Sequence, residues 1–279
     1  MIQTKNSMML LFVCLVCACL LIGLFAVLFS RTGDTSTNQT IAAATTQTQP
    51  APPAENVFTP TDFAYEGDYL SCITATSVLG IDVSTHQKEI DYQRVKAAGI
   101  EFVMIRLAWR GSVQGIIEED EWAQKNYQNA KAAGLKVGGY FFSQAISAKE
   151  AREEATFALK VVKNWDIEMP IVFDWEFLQK GYRTDAVDAR LLTDCTKAFC
   201  ETVEKAGYDS MVYFNPSQSR KQMYLEELTD YGFWLAMYSD QMNYEYKVDM
   251  WQYSCTGKVP GIDGNVDLNL YFPYDEEFT

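Results

Sequence analysis

The sequence predicts an α/β fold, a (β/α) barrel that follows an apolar N-terminal segment and a polar spacer. Three observations carry this expectation. Between residues 78 and 215, short β-rich runs recur that are apolar almost throughout, as strands buried on both faces are. Helical patterns with apolar residues three and four apart separate them, and these patterns close on glycine. Beyond residue 233 the strand-like runs crowd too closely for full helices between them. A barrel whose last strands lack helices fits this rhythm, with an open doubly wound sheet as the alternative.

From the N-terminus, Met8–Phe29 reads MMLLFVCLVCACLLIGLFAVLF, 22 residues without a charge, where a helix needs about 20 to cross the hydrocarbon core. The run is longer than the roughly 7–15 apolar residues of a cleaved signal. No small-x-small cleavage pattern follows it, so an uncleaved single-pass anchor in the cell membrane is expected. Lys5 and Arg31 flank the span almost symmetrically, so the positive-inside rule decides little. Only residues 1–7 precede the span and everything foldable follows it, which puts the short tail in the cytoplasm and the domain outside. Cys14, Cys17 and Cys19 within the span read as small apolar residues in lipid. Residues 30–55, rich in Thr, Gln, Ala and Pro, cannot bury enough surface to offset their ordering entropy and form a flexible spacer. Residues 56–77 read as a lead-in packed on the domain, and 78–275 as the domain itself.

Within the domain the expected strands are VLGIDVS (78–84), FVMIRLA (102–108), KVGGYFF (136–142), PIVFDW (170–175) and MVYFN (211–215). Gly99, Gly134 and Gly207 mark the helix ends that precede the next strand. The first two are 35 residues apart and the third lies 73 further on, close to two more units of that length. FWLAMYS (233–239), VDMWQYS (248–254) and VDLNLYF (266–272) complete the set without room for full helices.

The chemistry concentrates at strand ends. In PIVFDWEF, Asp174 and Glu176 lie at i and i+2, so they share one face while Trp175 takes the other. Two like charges inside an apolar strand repel and raise a pKa, a pattern enriched at functional sites. Asp82 at the end of the first strand and Asp267 near the last are further acids for the same rim, where barrel enzymes place their catalytic groups. Tyr140, Tyr213, Trp234, Tyr238 and Trp251 gather at strand ends and suit sugar faces, and Arg106 is a further candidate for contact with substrate. His86 is placed on the rim of the first loop. Because it is the only histidine, a Ser-His-Asp triad and a histidine metal cluster are both disfavoured. There is no phosphate-binding glycine motif, and no metal or cofactor is expected. A net charge of -14, from 23 basic against 37 acidic residues, argues against nucleic acid as a partner. Cys72, Cys195, Cys200 and Cys255 show no metal-site spacing, and their disulfide state is open.

GIDVSTHQKEIDYQRVKAAGIEFVMIRLAWRG, VGGYFFSQAISAKEAREEA, PIVFDWE and MWQYSCTGKVPGIDGNVDLNLY together resemble glycoside hydrolase family 25, the Chalaropsis-type N-acetylmuramidases. The resemblance runs from about Val78 to Phe272. It implies an irregular TIM-like barrel of about five helices and eight strands, acting as a monomer. The implied reaction is hydrolysis of the β-1,4 bond between N-acetylmuramic acid and N-acetylglucosamine in peptidoglycan. It makes Glu176 the general acid, with an ionised Asp174 beside it. Asp82 and Asp267 join the acidic rim, and Tyr140, Tyr213, Trp234 and Trp251 fall where the family lines its saccharide groove. One departure stands out: many members read YHF where this chain has Tyr140-Phe141-Phe142, which implies altered subsite contacts. Either a water activated by a second carboxylate or the substrate's own 2-acetamido oxygen could attack, and the i, i+2 pair favours the second route.

Overall fold

The computed structural model describes residues 50–273. The expected membrane span at 8–29 lies outside the described residues, and among those described no helix is long and apolar enough to cross a membrane.

The chain first forms a hairpin, β1 (Phe63–Glu66) and β2 (Tyr69–Cys72), and then enters the barrel with β3 (Val78–Val83). The barrel continues through α1 (Tyr92–Ala97), β4 (Phe102–Arg110), a short outer strand β5 (Ile117–Glu119), α2 (Ala123–Ala132), β6 (Lys136–Ser143), α3 (Ala148–Val162) and β7 (Ile171–Trp175). Then follow α4 (Ala189–Lys205), β8 (Ser210–Phe214), α5 (Pro216–Lys221), β9 (Gly232–Ala236), β10 (Met250–Gly257) and β11 (Val266–Tyr271). Eight strands run in the order β3-β11-β10-β9-β8-β7-β6-β4, and pairing of β3 with β4 closes the ring, so the barrel prevails over the open sheet. The helix stops behave as expected: Gly99, Gly134 and Gly207 have φ of 94°, 78° and 88°, the left-handed region that glycine enters without a Cβ clash. Asp91, Ser147, Asp188 and Asn215 cap α1, α3, α4 and α5 by accepting main-chain N–H bonds.

β11 departs from the expected parallel pattern. It is antiparallel to both β10 and β3, which a short connection permits and a parallel crossover would not. This reversal brings the start of β11 to the mouth where the parallel strands end, and pairs Asp267 directly with Asp82.

The barrel interior is narrow and filled by Phe102, Met104, Val172, Met211, Trp234 and Met250. It is tight enough that a Cβ on Gly80 would meet the Phe102 ring at 2.2 Å. A larger apolar layer lies outside the strands, where helices cover β4 and β6–β8. The N-terminal hairpin does the same for the last two strands. Phe63 sets its ring edge-on to Trp251 at 5.1 Å and to Phe272 at 6.2 Å, and Phe58 lies 4.8 Å from Phe272. Leu70 N–H donates to the Tyr253 hydroxyl. The hairpin thus buries the face that missing helices would otherwise leave open. Phe63→Ala is expected to cost about 3 kcal/mol, since truncating a buried aromatic leaves a cavity. Urea unfolding measures the loss, and activity per folded molecule should not change because Phe63 is on the outer side of β10.

The described chain starts at the end of the barrel opposite the mouth. There Ala54 O accepts from Lys247 N, and Asn56 N donates to Glu245 O, just before β10 begins.

Candidate active site

Strand β7 delivers the central pair. All its residues are buried, and Asp174 sits in register between Phe142 of β6 and Tyr213 of β8. Trp175 points outward and donates its indole N–H to Ala145 O at 3.0 Å, as the alternation predicts. Glu176 follows the strand end and is half-buried. Two glutamines hold this exit by its main chain: Gln144 Nε2 donates to Glu176 O at 2.8 Å and Gln218 Nε2 to Trp175 O at 2.7 Å. The side chains of the pair are thereby left free of the clamp.

Asp174 is 5% exposed, and its Oδ1 has no hydrogen-bond partner among the described residues. Burial first, then the charges of Glu176 and Asp82, push its carboxyl well above the ordinary range, and Arg106 only partly offsets this. Glu176 is raised by burial and by the charge of Asp82. The sequence expectation of a neutral Glu176 beside a permanently ionised Asp174 therefore needs correction, because the same burial favours the neutral form of both.

Asp82 lies on the opposite wall, 5% exposed. Its Oδ2 accepts from Gln252 Nε2 and from Asn269 Nδ2, both at 2.8 Å. Burial raises its pKa, and these bonds pull it back. Asp267, half-buried beside it, is pushed up to about 8 by burial, then by the Asp82 charge and their mutual hydrogen bond. All four acids chosen from the sequence thus meet at one mouth.

The other candidates divide. Tyr140 faces the acids, whose charges together with burial raise its hydroxyl well above the usual value. Tyr213 donates to Gln252 Oε1 at 2.8 Å. Tyr238 stands 58% exposed above them, its hydroxyl 3.3 Å from the same atom. Trp234 also points inward but is buried beneath the acids, edge-on to Tyr140 and Tyr213, so it forms the floor and not a stacking platform. Trp251 is on the outer face of β10, against Phe63 and Tyr253 with its N–H on Met237 O. It does not reach the mouth, because it neighbours Gln252 and alternation sends the two to opposite sides.

Arg106 faces the mouth, but its Nε donates to Asp120 Oδ2 at 2.9 Å and its guanidinium lies 5.0 Å over the Trp109 ring. His86 is exposed on the loop after β3. Phe141, the central residue of Tyr140-Phe141-Phe142, is fully buried on the outer side of β6 facing Phe199. The expected change in subsite contacts is therefore withdrawn: that position packs a helix and does not touch the mouth. The four cysteines of the described chain are free.

Sequence reasoning missed Gln252, Asn269 and Asp120. The first two were accessible to the i, i+2 rule, Asn269 from Asp267 and Gln252 from the interior Met250. Asp120, buried and bonded to Thr85 N and Trp122 N as well as Arg106, sits in an acidic run with nothing to single it out.

The family described as "Glycosyl hydrolases family 25" matches residues 81–262. The autolytic lysozyme of Clostridium acetobutylicum is 26% identical over 193 residues, covering 69% of this chain and 55% of that protein. The modular autolysin LytC from Streptococcus pneumoniae superposes with a TM-score of 0.62 at 23% identity, over 70% of this chain and 47% of its own, which is a likeness of fold. The bacterial lysozyme from Streptomyces coelicolor gives 0.57 at 26% identity, over 70% of this chain and 92% of its own. This chain therefore spans about half the length of the first two proteins.

Proposed function

The chain belongs to glycosyl hydrolase family 25, and from that premise we propose that it cleaves the β-1,4 bond between N-acetylmuramic acid and N-acetylglucosamine in peptidoglycan. The observation that carries this reading is the convergence of Asp174, Glu176, Asp82 and Asp267 on one barrel mouth. Glu176, half-buried and raised by burial, keeps a proton near neutral pH and passes it to the leaving glycosidic oxygen. Asp174, buried with a free Oδ1, stands where positive charge develops. It orients the 2-acetamido group, whose oxygen attacks the anomeric carbon as the bond to the protonated leaving oxygen breaks. The positive charge that develops on that group draws Asp174 to the carboxylate form, and water then attacks the same carbon while Glu176, now a carboxylate, takes its proton. Tyr238 offers an exposed ring at the lip for a sugar face.

The chain works as a membrane-tethered enzyme on the outer face of the cell. The uncharged run at 8–29 and the polar spacer after it support this. Membrane fractionation with and without residues 1–30 checks the tether, and release of the intact protein from membranes by high salt alone would count against it.

Mass spectrometry of digested peptidoglycan tests the reaction. Fragments are expected to carry muramic acid at their new reducing ends. Glucosamine reducing ends would overturn the bond assignment, and a folded chain that binds but never cuts would make the barrel a binding module.

A further inference from the structure

Asp82 ends a chain of hydrogen bonds through Asn269 whose directions are fixed. An indole N–H can only donate, and that of Trp234 gives its bond to Asn269 Oδ1 at 2.9 Å. The amide of Asn269 must then turn its Nδ2 to Asp82. On the other side, Gln252 donates its Nε2 to the same Asp82 oxygen while its Oε1 accepts from the hydroxyls of Tyr213 and Tyr238. Two N–H donors on one carboxylate oxygen favour the charged form. Asp267 is the direct register partner of Asp82 across β3 and β11, so the two carboxyl groups are cross-strand neighbours. Two carboxyl groups held this close resist ionising together, so the pair tends to keep one proton.

We propose that Gln252 and Asn269 are positioning residues that assign the single proton of the Asp82–Asp267 pair to Asp267, keeping Asp82 a carboxylate. Asp82 then bears the fixed negative charge of the wall opposite Asp174 and Glu176, and that charge helps keep Glu176 protonated. The other charged and titratable groups around Asp82 do not replace this arrangement. Arg106 from β4 is bonded to Asp120. Tyr140 from β6 and Tyr213 from β8 are phenols raised above their usual range. Tyr238 beyond β9 is pushed up to about 12, and β7 contributes the reacting pair itself. From β10, only the uncharged Gln252 reaches Asp82.

The assignment of the proton concerns the free protein, while its effect on turnover rests on the muramidase reading. The test uses the full chain in detergent with 13C-labelled Asp carboxyls, assigned through Asp267→Asn and Asp82→Asn. One carboxyl is expected to titrate near pH 8 and to vanish in Asp267→Asn, while Asp82 stays ionised well below that. In Gln252→Met and Asn269→Leu the Asp82 signal should move toward the protonated form. The alkaline limb of kcat/KM on peptidoglycan, where Glu176 loses its proton, should then fall by roughly one pH unit. Trp234→Phe, which removes a hydrogen bond to Asn269 and none to either acid, should move the limb the same way by less, because it frees the Asn269 amide to turn. Variants that fold as judged by melting yet keep the wild-type limb, losing activity equally at every pH, would overturn the assignment. So would a titration near pH 8 that survives in Asp267→Asn. Since the carboxyl titration needs no glycan, a chain that cleaves nothing would defeat the muramidase reading alone and leave this one to be decided by the titration.

Discussion

Glu176→Gln is expected to lower kcat/KM on peptidoglycan by about a thousandfold while glycan binding stays within a few-fold of wild type. A positioned general acid is worth roughly 10²–10⁴ in rate, and a thousandfold corresponds to about 4 kcal/mol of barrier. Gln keeps the size of Glu and its capacity for a hydrogen bond, but cannot give up a proton to the leaving oxygen. The backbone clamp should survive, since Gln144 bonds to the main-chain carbonyl of residue 176 and not to its side chain. Wild-type activity should also reach beyond the pH at which an ordinary glutamate is ionised. Burial and the Asp82 charge raise Glu176, so the acid is intact below that raised value and lost as pH climbs through it. Turbidity loss of peptidoglycan suspensions and co-sedimentation with it measure the two effects separately. Equal losses of binding and turnover would show that Glu176 holds substrate and does not protonate it.

How far the sequence was legible depends on what alternation can reveal. The strand period placed Asp174 and Glu176 on one side and Trp175 on the other, and the structure has them so. The same rule applied to MWQYS would have sent Trp251 outward and brought Gln252 in. Aromatic character points the other way there, yet the ring is in the outer layer against Phe63. The eight strands and five helices were in reach of pattern and resemblance together. The reversal of β11 was not, since strand direction leaves no mark in a run such as VDLNLY and is set by which neighbours close the ring. Nor did the lead-in announce its role. Phe58, Phe63 and Leu70 are apolar residues in a weakly patterned stretch until the bare outer face of β10 and β11 gives them a partner. Hydrogen-bond direction was the least legible of all: Asn269 and Gln252 matter because Trp234 and Tyr213 orient them, and those pairs are 35 and 39 residues apart in the chain.

Asp174→Asn should act in opposite directions on activity and stability. Loss of the charge beside the reacting centre is expected to cost 10²–10³ in kcat, the usual range for removing one electrostatic stabiliser. The same change relieves a buried carboxyl that has an unpartnered oxygen and three acidic neighbours at one mouth. An amide carries no charge to desolvate and none to be repelled by Glu176 and Asp82. Active sites store destabilising arrangements of this kind, so the variant should melt about 3 °C higher at neutral pH, equivalent to roughly 1 kcal/mol in a domain of this size. The dependence on pH distinguishes this origin from better packing. Because the folded-state pKa of Asp174 lies above its unfolded value, its contribution to stability is present below the ordinary carboxylate range and is lost as pH rises through the raised folded value. Wild-type melting temperature should therefore decline from about pH 4 upward, and Asp267, protonated below about 8, should extend that decline into neutral pH. In Asp174→Asn the slope should be shallower, and the gap between the two proteins should widen with pH. A constant gap from pH 4 to 8 would assign the gain to packing, and a variant less stable than wild type at pH 7 would show that Asp174 is held charged by contacts stronger than those that bury it.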